Sequence, residues 1–129
     1  GSRLYAQLGN FGNVQLMGKL SHSDTMHEIS RSKALISTSP MEGFPNIFIE
    51  AWACGIPVLS LYVDPGDVIK REKLGYVAEG RIDRLIEEIH SFKSSKEFGH
   101  HSRIYVKTNH LLNDTRLAEI KSIFNGLYE

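Results

Sequence analysis

Two carboxylates and a helix start carry the strongest chemical signal in this sequence. Glu50 is the single charged residue in the run from Ile47 to Cys54, which is apolar on every other side. A carboxylate held against an apolar core costs on the order of several kcal/mol unless it is partnered. A ligand bearing hydroxyl groups would supply donors without demanding a counter-charge. The alternative is a glutamate exposed on one helix edge and paired with a nearby Lys or Arg. Glu42 stands eight positions earlier, in Ser39-Pro40-Met41-Glu42-Gly43-Phe44-Pro45-Asn46, where it can point into the same crevice. By itself it is an ordinary loop carboxylate. Pro45 and Asn46 suit a first helical turn or cap, which leaves the amides near Asn46, Ile47 and Phe48 without acceptors inside the helix. Those donors and the positive end of the helix dipole favour an anion such as phosphate. Gly43 would let a ligand approach the backbone closely. Hydroxyl-gripping carboxylates beside a phosphate-binding helix end describe a nucleotide-sugar site.

Other reactive residue types read more plainly. Cys54, in an apolar helix, is expected to be a packed small residue rather than a nucleophile. His100-His101 has no supporting Cys or carboxylate at ligand spacing, so these read as surface histidines, and no metal site is expected. His22 and His27 lie five apart, the wrong interval for a helical metal pair, and are expected at a cap and on the surface. Met17-Gly18-Lys19 reads as a tight turn with a solvated lysine. Phe48 and Trp52, at helical spacing, are expected in the core.

The elements that must position these groups alternate as in a parallel α/β sheet. Val14-Gln15-Leu16-Met17 is predicted as a first strand, followed by a helix capped by Ser23 that turns Met26, Ile29 and Ser30 toward the sheet. Ala34–Ser37 is predicted as a second strand. A helix from Ile47 to Cys54 closes at Gly55. Pro57 opens a third strand, Val58–Leu61, then Asp64-Pro65-Gly66-Asp67 turns the chain. Gly75–Ala78 is predicted as a fourth strand. Ile82, Leu85, Ile86 and Ile89 recur as one face of an amphipathic helix. A helical stretch from about Lys96 to Leu112 is interrupted by Gly99. Asp114 caps a last helix with a Leu117, Ile120, Phe124 and Leu127 stripe. The expected organisation is one domain over 1–129, with a helical tail from about 80 to 129.

Composition narrows the function classes. The 129 residues are 41% hydrophobic and 23% charged, a globular composition, and too few for a complete two-domain enzyme. Residues 1–64 hold 4 basic and 5 acidic side chains and residues 65–129 hold 11 and 10, so no segment has the basic excess of a nucleic-acid binder. One cysteine rules out an intrachain disulfide and fits a reducing compartment. No apolar run approaches the ~20 residues of a membrane-spanning helix.

Glu42 to Glu50 forms a Glu-x7-Glu motif that continues through Ala51-Trp52-Ala53-Cys54-Gly55-Ile56-Pro57-Val58. This resembles the donor-binding, C-terminal half of the retaining glycosyltransferases of family 4, also called group 1, which have the GT-B fold. Asn13–Leu20 resembles the strand and glycine before the motif, and Gly75–Ala78 the strand after the donor loop. The likeness covers roughly residues 10 to 80. It implies a Rossmann-like α/β sheet with flanking helices, truncated relative to the whole half. It implies transfer of a sugar from a UDP- or GDP-sugar to an acceptor hydroxyl with retention, in polysaccharide or glycoconjugate synthesis, without metal or other cofactor. Glu42 would be the catalytic residue and would contact donor-sugar hydroxyls. Glu50 would hold the ribose hydroxyls. Gly43, Phe44, Pro45, Asn46 and Ile47 would supply backbone contacts, and Gly18, Lys19 and Leu20 would border the nucleobase.

The departures from the family pattern carry expectations of their own. The dibasic phosphate clamp and the N-terminal acceptor domain of the parent chain are expected upstream of residue 1, so this polypeptide alone is expected to be inactive. Pro65-Gly66 replaces a Gly-Gly-rich donor loop. Without the central strands of the family's sheet, Val14–Met17 and Ala34–Ser37 are expected to pair directly, or exposed sheet edges to self-associate. The parent is expected in the cytoplasm, peripheral to the inner membrane face if its acceptor is lipid-linked. The competing readings are half of a GT-B epimerase or phosphorylase, and a non-catalytic α/β interaction domain. A receiver-like module is disfavoured because no strand ends in the required acidic cluster.

Overall fold

A computed structural model describes residues 6–8, 10–40 and 46–109. Within them the order is α1 (His22–Ser30), β1 (Leu35–Ser37), α2 (Asn46–Ala53), β2 (Val58–Ser60), a 3-10 turn (Pro65–Asp67), α3 (Val68–Glu72), β3 (Gly75–Val77), α4 (Ile82–Ser91) and α5 (Lys96–Asn109). The strands form a parallel sheet in the order β1-β2-β3, with Leu35, Val58 and Gly75 in one register row and Ile36, Leu59 and Tyr76 in the next. The architecture is the expected Rossmann-like α/β arrangement.

Alternation along the strands divides the core between the two sheet faces. Leu35, Val58 and Val77 pack with Met26, Ile29, Phe48, Trp52, Ile69, Leu74 and Val106, which places α1, α2, α3 and α5 on one side. Leu59 and Tyr76 pack with Leu85, Ile89 and Phe92, so α4 and the residue following it cover the other side. Every residue of β2 is buried, as a central parallel strand requires.

Beyond its exposed first turn, helix α2 is mostly buried, which suits its largely apolar sequence. Phe48, Ala51, Trp52 and Ala53 are buried on it. It ends where the reading placed the stop: Gly55 takes φ +79°, its N–H donates to Trp52 O at 3.0 Å, and Ile56 N–H donates to Ala51 O at 2.8 Å. That pair of bonds is a Schellman closure. Helix α5 crosses α2 at this point, and a Cβ on Gly55 would lie 3.1 Å from Gly99 Cα. Gly99 therefore does not interrupt the helix. The helix runs unbroken through it, and the missing side chain that the crossing requires is that of Gly55, where a Cβ would meet Gly99 Cα and the Arg103 guanidinium.

Several expectations are corrected. Val14–Met17 is not a strand and does not pair with β1, whose neighbour among the described residues is β2. Ladder bonds, not composition, make a strand, and the backbone here turns instead: Phe11 N–H donates to Leu8 O and Val14 N–H to Phe11 O. Val14, Leu16 and Met17 are exposed. The cap of α1 is Ser21 rather than Ser23: Ser21 has extended φ/ψ and its Oγ accepts Asp24 N–H at 3.1 Å. The Asp64–Asp67 turn leads into a short helix, α3, absent from the reading because five residues give no periodicity to detect. On α4, Leu85 is buried but Ile82 and Ile86 are exposed, so the apolar stripe is wider than the face the sheet covers. Asp114, Leu117, Ile120, Phe124 and Leu127 lie outside the described residues.

Two positions test this packing. Gly75 has φ +150°, and a Cβ there would lie 1.8 Å from Val58 O across the β2–β3 ladder. Gly75→Ala is expected to lower the unfolding free energy by at least about 2 kcal/mol, read from the urea midpoint. Ser60 is fully buried and its Oγ has no hydrogen-bond partner. Ser60→Ala is expected to raise stability by about 1 kcal/mol in the same measurement, because it removes an orphaned hydroxyl without opening a cavity.

Candidate functional site

In a parallel sheet the segments leaving the C-terminal strand ends form the rim at which ligands are bound. Here that rim receives Ser39 and Pro40 from β1, Tyr62 to Asp64 from β2 and Glu79-Gly80 from β3. Helix α2 starts on it at Asn46. The first-turn residues Asn46 and Ile47 are exposed, and that turn contains no acidic residue. Its amides have no acceptor within the helix by construction. Helix α3 starts on the same rim but is closed by its own chain: Asp64 Oδ1 accepts Ile69 N–H at 2.7 Å and Oδ2 accepts Lys70 N–H at 3.4 Å. A carboxylate already occupies the place an anion would take there. Gly66 and Asp67 adopt left-handed φ of 60° and 57° to bring Asp64 back over the helix, and Arg71 donates to Gly66 O at 2.9 Å. The Pro65-Gly66 segment is thus a self-capped turn.

Glu50 lies one turn further along α2 and is 5% exposed. That burial removes the alternative of a solvated glutamate on a helix edge. Its Oε1 lies 3.7 Å from His22 Nε2, an ion-pair separation. The basic group in this contact is a histidine from the first residue of α1, where the sequence reading had allowed for a Lys or Arg. The pairing was invisible in sequence because residues 22 and 50 are joined only by the way α1 packs on α2. Through it, the Gly18-Lys19-Leu20 segment, which enters α1, is brought to the same end of the sheet as Glu50. Gly18 and Lys19 are exposed and Leu20 is half-buried. Glu42, Gly43, Phe44 and Pro45 lie outside the described residues, so Asn46, Ile47, Glu50, Gly18, Lys19 and Leu20 are the site residues whose placement is described.

The remaining reactive side chains are placed as expected. Cys54 is buried, and its thiol is pushed up to about 11, first by burial and then by the negative charge of Glu50. His100 and His101 are exposed, and His101 Nε2 contacts Glu72 O at 2.5 Å, at the end of α3. Among the described residues no three His, Cys, Asp or Glu side chains cluster as a metal site requires. No helix among them is long and apolar enough to cross a membrane.

A rim with a helix start, a buried carboxylate behind it and the Glu-x7-Glu spacing is consistent with sugar transfer, and family comparison supplies the family. Residues 2–108 match the family of group 1 glycosyl transferases. The chain belongs to that family. No curated protein and no solved structure matches it. The match spans both the Glu42–Glu50 segment and the described elements as far as residue 108, within α5.

In this glycosyltransferase Cys54 supports the site by packing, and its chemistry should follow. The thiol keeps its proton to about pH 11 in the folded state against an ordinary value of 9.0. Its contribution to stability is therefore complete below pH 9.0 and is lost as pH rises toward 11, where the unfolded thiol ionises first. A thiol reagent at pH 8 should label Cys54 slowly in the native protein and rapidly in denaturant. Equal rates in both conditions would contradict the buried placement.

Proposed function

We propose that this chain is the donor-binding part of a retaining glycosyltransferase of GT-B fold and family 4 type. In this reading it takes a UDP- or GDP-sugar and delivers the sugar to an acceptor hydroxyl held by an N-terminal domain of the same parent chain. The observation that carries the reading is Glu50, a carboxylate 5% exposed on an otherwise apolar helix, one turn from a helix start that faces the rim. A buried acceptor of this kind suits hydroxyl donors, and the vicinal hydroxyls of a ribose supply two. The nearby amides of Asn46 and Ile47 suit the diphosphate attached to that ribose.

Each step then falls to an identifiable group. Glu50 holds the ribose hydroxyls and fixes the nucleotide along α2. The first-turn amides of α2, with backbone contacts from Gly43, Phe44 and Pro45, stabilise the negative charge that grows on the diphosphate as the sugar bond breaks. Glu42 accepts from hydroxyls of the donor sugar and holds its anomeric carbon toward the acceptor. Gly18, Lys19 and Leu20 border the base. Retention follows if the acceptor enters on the face the diphosphate leaves, where the departing phosphate oxygen takes the acceptor proton. A role in polysaccharide or glycoconjugate synthesis in the cytoplasm, or at the inner membrane face with a lipid-linked acceptor, belongs to the same proposal. The family match favours transfer over the epimerase and phosphorylase readings.

The test is a transfer assay of the intact two-domain enzyme with UDP- and GDP-sugars. Glu42→Gln and Glu50→Gln should each lower kcat/KM about 5–10-fold or more, since each removes a charged acceptor from a hydroxyl contact. Glu50→Gln should also weaken binding of the free nucleotide diphosphate, whereas Glu42→Gln should leave that binding largely intact. Unchanged kinetics in both variants would remove the site.

A further inference from the structure

Glu50 does not stand alone behind the rim. His22 Nε2 lies 3.7 Å from its Oε1, with side-chain exposures of 44% and 6% for the histidine and glutamate. The histidine is held by a rigid element. Ser21 caps α1 through Asp24 N–H at 3.1 Å, Thr25 N–H donates to Ser21 O at 2.9 Å, and Met26 and Ile29 anchor the helix in the core. The imidazole is therefore presented to Glu50 by packed backbone on one side and reaches solvent on the other. A glutamate side chain has three rotatable bonds. A carboxylate with about four acceptor positions can be useful to a ligand only if its plane is set beforehand. A basic group against one oxygen sets that plane and offsets the cost of holding the charge in apolar surroundings.

We propose that His22 is a positioning residue that orients the Glu50 carboxylate and so sets the preference of the site for a ribonucleotide over its 2′-deoxy counterpart. The inference rests on the reading of Glu50 as the acceptor of ribose hydroxyls. It adds a residue from α1, outside the Glu-x7-Glu segment, whose effect passes through Glu50. Its signature is selective. A residue that merely supports the fold would weaken all nucleotides alike, whereas one that orients Glu50 weakens those that carry the 2′-hydroxyl.

The experiment measures, by calorimetry on the intact enzyme, the affinities of UDP, GDP and their 2′-deoxy forms. Wild type should favour the ribonucleotide. His22→Phe keeps a planar ring and loses both ring nitrogens. It should shrink the ribo/deoxy ratio about three- to fivefold, with the deoxynucleotide affinity held within about twofold. His22→Gln restores an N–H donor and should recover most of the ratio, and His22→Ala, which removes the contact without a larger ring, should shrink the ratio as His22→Phe does. Glu50→Gln, run alongside, should collapse the ratio. If Glu50→Gln collapses it and neither His22→Phe nor His22→Ala alters it, the positioning role is overturned while the ribose reading stands. If Glu50→Gln leaves the ratio intact, the ribose reading fails and the role of His22 fails with it.

Discussion

Trp52 joins the helix that carries Glu50 to both of the elements that enclose it. Its indole Nε1–H donates to Leu74 O at 2.9 Å, which ties α2 to the segment entering β3. Its backbone carbonyl accepts from Ser102 Oγ at 2.9 Å, which ties α2 to α5. Its ring meets Phe48 and Tyr105 edge to face, with centroids 6.0 and 5.8 Å apart. Each such ring pair is worth about 0.5–1.5 kcal/mol beyond its buried area, and the indole N–H is satisfied in a place where water does not reach. Because Trp52 is held on several sides, the turn before it, with Glu50 and the helix start at Asn46, has little freedom to shift. The geometry of the rim depends on this anchor more than on any contact at the rim itself.

The close approach of α5 depends on the same arrangement. A Cβ on Gly55 would lie 3.1 Å from Gly99 Cα, and beside this close crossing Ser102 Oγ reaches the Trp52 carbonyl of α2. The Schellman closure at Gly55 then redirects the chain into Pro57 and β2. The helix that presents the site and the strand that supports it are thereby linked by one tight corner. On the far side of the sheet, α4 covers Leu59 and Tyr76 but leaves Ile36, Ile82 and Ile86 exposed. The two faces are unequal: the one carrying Glu50 is packed by four helices and the other by one.

The start of α3 on the rim shows how local chemistry closes a helix end. Helix α3 is capped by Asp64, which bends back through two left-handed residues. Helix α2 has no acidic residue in its first turn. Sequence inspection read Asp64-Pro65-Gly66-Asp67 as a turn and Pro45-Asn46 as a first helical turn or cap, and it could not tell that the former would return a carboxylate to the helix that follows it. That outcome depends on whether a carboxylate can reach back, a matter of three-dimensional reach rather than residue type.

The sequence by itself determined the parallel α/β class, the helix around Glu50 with its stop at Gly55, the burial of Phe48, Trp52 and Cys54, and the motif that the family match later covered. These follow from local rules: periodicity, glycine at a helix stop, and the cost of placing one charge on an apolar helix. It misplaced Val14–Met17, because a strand exists only if a neighbour accepts its ladder bonds. It overestimated the buried stripe of α4, because how much of a helix is covered depends on the surface opposite. Only the tertiary structure decided that His22 meets Glu50 across 28 positions of sequence, that Asp64 closes α3, and that α5 crosses α2 closely at Gly55 and runs unbroken through Gly99. Each of these is a contact between elements, and its energy depends on distances that no single segment of the chain contains.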